Sequence, residues 1–208
     1  TVLTTSGNGI EISGSMNNNF SSNKVNSSQA NSYIIIGTLI THYNHSIDNS
    51  NLAEGKPVNY TFNSNNSIYD KIDNTYGQVI FSWGRNLTIT NSNFTRDGLT
   101  LFFTNLSRIT NNYINTTTGY GVYLYSALNN NVSYNTILTN LTNGYGVFLS
   151  TASNNNTVSD NNITSLPELS NYWPNTLRHL SISRNKITSL PELPNYWPNT
   201  LEHLYLYD

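Results

Sequence analysis

Eleven carboxylates and four histidines are the groups of this 208-residue chain best suited to acid–base or metal chemistry, and their spacing is loose. Asp70 and Asp73 stand close together, while Glu11, Asp48, Glu54, Asp97 and Asp160 are scattered among Asn-, Gly- and Ser-rich turns. Cleaving a glycosidic bond by hydrolysis needs paired carboxylates. Elimination would need several aspartates around calcium with a base beside them. Neither pattern is present, nor are adjacent aspartates followed downstream by Gly-His-Gly, so the acids read as solvated turn residues and no catalytic residue is assigned. A copper site would need imidazole or thioether ligands. His42 and His45 are three apart with Met16 distant, and in a strand or turn they need not share a face. The expectation is therefore a non-enzyme with no metal and no cofactor.

Aromatic residues are the more informative surface feature. Tyr172-Trp173-Pro174 and Tyr196-Trp197-Pro198 are one repeat apart and should form a two-step column. Packing under a loop accounts for Trp173 and Trp197, and a contact face of Tyr172, Trp173, Tyr196 and Trp197 for sugar or protein is the alternative. Tyr120, Tyr123, Tyr125 and Tyr145 gather around two Gly-Tyr-Gly entrances. His179 and His203 are also one repeat apart and read as stacked equivalents, while Arg178 and Glu202 set opposite charges on adjacent coils, ~0.5 kcal/mol if exposed.

Solubility must come from neutral groups. Charged residues make up 10% of the chain and the formal net charge is −2, which gives no reason to expect nucleic acid or an anionic membrane surface as partner. The 38 Asn, 25 Ser and 25 Thr supply the polarity instead, and the 15 Tyr, 7 Phe and 3 Trp argue for order rather than disorder. No apolar run is long enough to span a bilayer. Absence of cysteine excludes disulfides without naming a compartment. Thirteen Asn-x-Ser/Thr sequons occur, at Asn19, Asn26, Asn44, Asn59, Asn65, Asn86, Asn93, Asn105, Asn115, Asn131, Asn140, Asn155 and Asn162. Composition explains most of them, yet a secreted archaeal or eukaryotic chain would carry glycans at several. The chain starts at Thr1 without a methionine, which suggests a processed export precursor or a piece of something longer.

The elements that must position these residues come from one recurrent pattern. Ile89-Thr-Asn-Ser-Asn-Phe94, Ile109-Thr-Asn-Asn-Tyr-Ile114, Val132-Ser-Tyr-Asn-Thr-Ile137 and Val158-Ser-Asp-Asn-Asn-Ile163 start 20, 23 and 26 residues apart. Short apolar strands alternate with them: Val79-Ile-Phe81, Leu99-Thr-Leu-Phe-Phe103, Val122-Tyr-Leu124 and Val147-Phe-Leu149. A period in this range marks a solenoid, whose units must stack to bury their apolar residues. Helical periodicity is absent, so the fold class is all-β. Asparagines at the corners tolerate left-handed backbone and can form amide ladders between windings, through Asn91, Asn111, Asn135, Asn161 and Asn185. Before Gly55 the repeat is degenerate, with Gly9-Ile-Glu-Ile12, Phe20 to Val25, Tyr33 to Ile36 and His42 to Ile47 read as earlier coils, and Gly55-Lys-Pro-Val58 breaking the pattern. Roughly nine coils would give a rod about 45 Å long.

From Ile163 the vocabulary changes but the period stays. Ile163 to Arg184 and Ile187 to Asp208, offset by 24, agree at 16 of 22 positions, and Leu177, Leu180, Ile182, Asn185, Ile187, Leu190 and Leu193 fill a leucine-rich repeat template. The division is thus residues 1–162 as β-coils and 163–208 as two 24-residue leucine-rich units, the last incomplete, in one continuous solenoid. No capping element is visible at either end, so either the natural chain continues beyond Asp208 or a neighbour covers the opening.

Gly55-Lys-Pro-Val58, Gly77-Gln-Val-Ile80, Asn86-Leu-Thr-Ile-Thr-Asn91 and Gly119-Tyr-Gly-Val-Tyr-Leu124, on to Ile163, resemble the parallel β-helix repeat proteins of the NosD and carbohydrate-binding-and-hydrolase type. The tail resembles bacterial Leu-Pro leucine-rich repeats. The resemblance implies a right-handed parallel β-helix continued by leucine-rich coils. Such proteins include polysaccharide lyases, copper-site maturation factors and long surface or adhesive proteins, so fold does not choose among functions. The leading expectation is an extracellular structural or adhesive cell-surface protein that self-associates and contacts surface glycans or other surface proteins. A carbohydrate-binding or polysaccharide-cleaving module is the alternative, and copper delivery a third.

Overall fold

The computed structural model describes residues 1–5, 7–27, 30–116, 120–139, 145–163, 179–181 and 203–205. From Lys56 the chain winds around three faces. The first carries Lys56–Phe62, Gln78–Ser82, Leu99–Phe102, Tyr120–Tyr125 and Tyr145–Ser150. The second carries Ile68–Asp70, Thr88–Thr90, Arg108–Thr110, Asn131–Ser133, Asn156–Ser159, His179–Ser181 and His203–Tyr205, and the third Asn93–Arg96, Tyr113–Thr116 and Thr136–Thr139. Neighbours on each of these faces pair in parallel, as a chain that always circles the same way requires.

Register explains why the apolar pattern recurs. Val79, Leu99, Val122 and Val147 are stacked on the first face, Ile89, Ile109, Val132 and Val158 on the second, and Phe94, Ile114 and Ile137 on the third. All point into one buried core, where each aliphatic chain contributes about 1.5–3 kcal/mol relative to exposure. The second face continues into the tail with its 24-residue offset, since Asn156 pairs with Leu180 and His179 with His203. Its seven strands span about 30 Å at the usual strand spacing.

The first 53 residues do not extend this rod, and here the sequence reading is corrected. They do coil: Val2–Thr4 pairs with Lys24–Ser27, Ile10–Ser13 with Tyr33–Ile36, and Asn19–Phe20 with Ser46–Ile47. But Leu52–Ala53 then turns back on Lys56–Phe62, with Leu52 opposite Pro57 and Ala53 opposite Lys56, the one antiparallel pairing among the described residues. The first sheet thus runs on through Leu52–Ala53, Lys24–Ser27 and Val2–Thr4.

Alternation along the strands shows where the N-terminal windings lie. Val79, Phe81, Leu99 and Leu101 belong to the solenoid core, whereas Ile80, Phe102, Tyr123 and Phe148 pack with Ile12, Val25, Tyr33, Ile35 and Tyr43 in a second core. Successive strand residues face opposite sides, so one sheet separates two cores and residues 1–53 form a strap against its outer side. The physical reason lies in the strands. Gln78–Ser82 is buried at every position, and a sheet apolar on both faces must be covered on both. Strand direction and the side of the core both invert at the hairpin, so the hand of the winding is unchanged.

Candidate functional site

Every winding uses a two-residue device at its corners. Asn63, Trp83, Phe103, Ser126 and Thr151 leave the first face with positive φ; Asn66, Asn86, Leu106, Asn129 and Asn155 do so before the second, and Lys71, Asn91, Asn111, Tyr134 and Asp160 after it. At nine of these corners the next residue turns inward and its N–H is met by a side chain one winding further on. After the second face Ile72 donates to Ser92 Oγ (3.0 Å), Ser92 to Asn112 Oδ1 (3.0 Å), Asn112 to Asn135 Oδ1 (3.0 Å) and Asn135 to Asn161 Oδ1 (2.9 Å). Before it Leu87 donates to Ser107 Oγ, Ser107 to Asn130 Oδ1 and Asn130 to Asn156 Oδ1. At the remaining corner Gly84 donates to Thr104 Oγ1 and Ala127 to Ser153 Oγ.

Asparagine suits these inner positions because its Nδ2 also returns a bond to the winding below. Asn112 donates to Ile89 O, Asn135 to Ile109 O and Asn161 to Val132 O, at 2.8–3.0 Å. Each buried backbone group so matched would otherwise cost about 1–3 kcal/mol.

The ladder proposed from sequence therefore needs a correction at two members. Asn135 and Asn161 stand in the buried column, but Asn91 and Asn111 are one residue out of line, exposed at the positive-φ position, with Ser92 and Asn112 in the column instead. Aligning Ile109 with Val132 already puts Asn111 opposite Tyr134. A left-handed residue points outward; the residue after it points in. Asn91 still bonds to the winding below, its Nδ2 donating to Asp70 Oδ1 at 2.8 Å. Asn185 lies outside the described residues, as do Tyr172, Trp173, Tyr196 and Trp197.

His45 occupies a ladder position in the strap. The N–H of Asn18 donates to its Nδ1 at 3.2 Å, as that of Asn23 does to Asn51 Oδ1. The ring is buried, and desolvation, with His42 nearby, holds its pKa below the usual value. Asn17, Asn18, Asn19, Asn44, His45 and Ser46, all with polar side chains, line an open depression of about 310 Å³. His42 Nδ1 accepts from the N–H groups of Thr38 and Leu39. Both imidazoles are thus engaged with backbone, and Asp70 and Asp73 stand exposed at a corner. No group of three or more His, Asp or Glu converges among the described residues, and no helix there is long and apolar enough to cross a membrane.

Between strap and sheet lies the aromatic cluster. Tyr43 of the strap meets Phe102 at 5.5 Å and Phe103 at 5.3 Å between centroids; Trp83 stacks on Phe103 at 4.7 Å, and Tyr120 on Phe148 at 4.5 Å. Burial pushes the Tyr33 hydroxyl up to about 12 and raises those of Tyr43, Tyr60 and Tyr123 as well, so these rings stay neutral. The seam is joined by few polar bonds. Ser32 N–H donates to Asp97 Oδ2 (2.6 Å), Gln78 exchanges two bonds with the Tyr33 backbone (2.9 and 2.8 Å), and Tyr60 OH donates to Tyr43 O. Asn31 Nδ2 and Oδ1, Ser32 Oγ, Tyr33 OH, Trp83 Nε1 and Thr100 Oγ1 are buried there without partners.

The sequons divide by exposure. Asn19, Asn26, Asn44, Asn65, Asn86, Asn93, Asn131 and Asn155 are exposed; Asn59, Asn105, Asn115 and Asn162 are half-buried; Asn140 lies outside the described residues. Sequence reading passed over Tyr113 and Tyr134, which are 42% and 61% exposed on adjacent windings near the third corner. The available signal was a tyrosine where the corner pattern otherwise holds asparagine.

A stack of parallel windings, three-faced and laddered at its corners, defines a parallel β-solenoid. The chain belongs to the family described as right handed beta helix region, which matches residues 58–187. That match begins just past the hairpin, where the regular windings begin. No curated protein and no solved structure matches the chain.

Proposed function

We propose that this chain is a non-enzymatic, extracellular structural or adhesive segment of a cell-surface layer, stalk or filament, in which the solenoid is a stiff spacer. The observation that carries this reading is the set of corner ladders, which tie each winding to the next through buried side chains as well as backbone. A surface of neutral amides and hydroxyls suits an exposed position without nucleic acid as partner. Ile68–Asp70 ends the second sheet with one edge unpaired among the described residues, and such an edge is a pairing surface for another copy. On this reading residues 163–208 continue the rod as leucine-rich coils. Sedimentation velocity and electron microscopy of the chain at high concentration should show end-to-end or lateral association. A monodisperse monomer would count against it.

The second reading is a carbohydrate-binding or carbohydrate-cleaving module of the NosD or carbohydrate-binding-and-hydrolase type. Tyr113 and Tyr134 favour it, because exposed rings beside Asn91, Asn93 and Asn111 offer a stacking surface with amide donors and acceptors. Glycan-array binding that is lost in Tyr113→Ala/Tyr134→Ala would support this reading over the first.

A further inference from the structure

The strap meets the first sheet in two ways, and they differ in character. Against the outer side it packs through side chains, with Tyr43 among Trp83, Phe102 and Phe103 and a handful of polar bonds. At the sheet edge it is joined by a short antiparallel pairing, Leu52 with Pro57 and Ala53 with Lys56 and a bond from Val58 N–H to Asn51 O, which the turn Ala53-Glu54-Gly55-Lys56 closes. Both central residues of that turn have positive φ, +50° at Glu54 and +80° at Gly55, the condition of a type I′ turn. Glycine takes this conformation freely, but glutamate does not, and asparagine or glycine is what such a turn selects. Below it the backbone passes so close that a Cβ on Gly77 would sit 1.9 Å from the Ala53 carbonyl oxygen.

We propose that the strap is exchanged between two copies of this chain: the Glu54–Gly55 turn straightens, and residues 1–53 of each copy cover the outer sheet of the other. This deepens the self-association proposed above and rests on it in taking the partner to be a second copy. The occupant is fixed by the surface itself. The outer face, with Tyr60, Ile80, Phe102, Tyr123 and Phe148, is already complementary to this segment, and the same segment of another copy restores every contact. Exchange therefore changes the hinge and little else, and straightening removes the left-handed glutamate. The unpartnered atoms of Asn31, Ser32, Tyr33 and Thr100 at the seam become solvated when the strap lifts, which eases opening. Two cores on opposite sides of one sheet let the solenoid core stay closed meanwhile. Two straightened hinges crossing antiparallel give a two-fold, closed dimer.

Two turn variants of the full chain, refolded at high concentration and measured by size exclusion with light scattering, test this. Gly55→Val puts a β-branched residue at +80°, with nothing within 4 Å of its Cβ, so its effect is on the backbone alone. It should raise the dimer-to-monomer ratio about tenfold, and Glu54→Asn, which suits the closed turn, should lower it about tenfold. A ratio unmoved by both substitutions overturns the proposal, as does absence of dimer in Gly55→Val. The chain has no cysteine, so Leu52→Cys/Pro57→Cys places one new pair at residues that face each other across the hairpin. Oxidised dimer run on a denaturing, non-reducing gel should give covalent dimer; covalent monomer alone refutes exchange. Filaments built from covalent monomers would sink exchange and leave end-to-end stacking standing. Covalent dimers that never lengthen would do the reverse.

Discussion

Asn135 accepts the backbone N–H of Asn112 on Oδ1 at 3.0 Å and donates from Nδ2 to Ile109 O at 2.9 Å, so one amide bridges two windings at two points. Truncating it leaves the buried N–H of Asn112 and the carbonyl of Ile109 without those bonds, each worth about 1–3 kcal/mol. Asn135→Ala should therefore lose ~2–6 kcal/mol in urea unfolding. Asn111→Ala, on the outward position of the winding below, should lose about 1 kcal/mol through its left-handed backbone alone. Equal losses at the two sites would refute the separation of corner and ladder roles.

Several corners hold residues that the backbone disfavours, Leu106 and Tyr134 among them. Leu106 has φ of +56° and Tyr134 of +57°, in columns otherwise rich in asparagine, and both side chains are exposed. Leu106→Asn and Tyr134→Asn give up little packing and should each stabilise the chain by ~0.5–1 kcal/mol. For a chain of this size that raises the thermal midpoint by about 2–4 °C per kcal/mol, readable by calorimetry. A fall at either position would mean the side chain makes a contact that matters more than its backbone.

These corners also show what was legible in the sequence. The windings could be read because a stacked core forces one apolar position per face to recur, and the register of Ile89, Ile109, Val132 and Val158 follows from that spacing. The ladder was placed one residue off because asparagine serves two neighbouring needs, a left-handed backbone and an inward amide, and composition alone does not separate them. Asn111 and Asn112 are adjacent, identical in type and opposite in role. The strap was missed for a different reason. Val79-Ile80-Phe81 and Leu101-Phe102-Phe103 are apolar on both alternations, the signature of a strand covered on both sides, but a degenerate period suggested that the preceding residues lay on the same axis. The tail is read from its 24-residue identity, and the pairing of His179 with His203 keeps that offset.

Sequon occupancy should follow the structure. On secretion from a host that attaches N-glycans, peptide mapping should find Asn86, Asn93, Asn131 and Asn155 substituted and Asn105 bare. The first four are exposed, whereas Asn105 is half-buried and its Oδ1 accepts the N–H of Leu128 at 2.7 Å. For the same reason Asn105→Gln should cost about 1 kcal/mol, one hydrogen bond, and Asn93→Gln almost nothing. Full occupancy at Asn105 would mean that the sugar is attached before this winding closes.

Acid should loosen the strap through His45. Its Nδ1 must stay unprotonated to accept the N–H of Asn18, and burial holds the folded pKa below 6.5. The unfolded chain therefore binds more protons than the folded one as pH falls past about 6.5, so stability drops on acidification. Above that value the contribution is fully present; below the depressed folded pKa the loss is complete and levels off. Urea midpoints for the chain should thus fall between pH 7 and pH 5. His45→Asn supplies the same acceptor from an amide, as Asn51 does for Asn23, and should flatten that part of the profile while keeping the midpoint at pH 7. A variant whose midpoint still falls with acid as steeply as the parent would place the titration elsewhere, because an amide at this ladder position binds no proton.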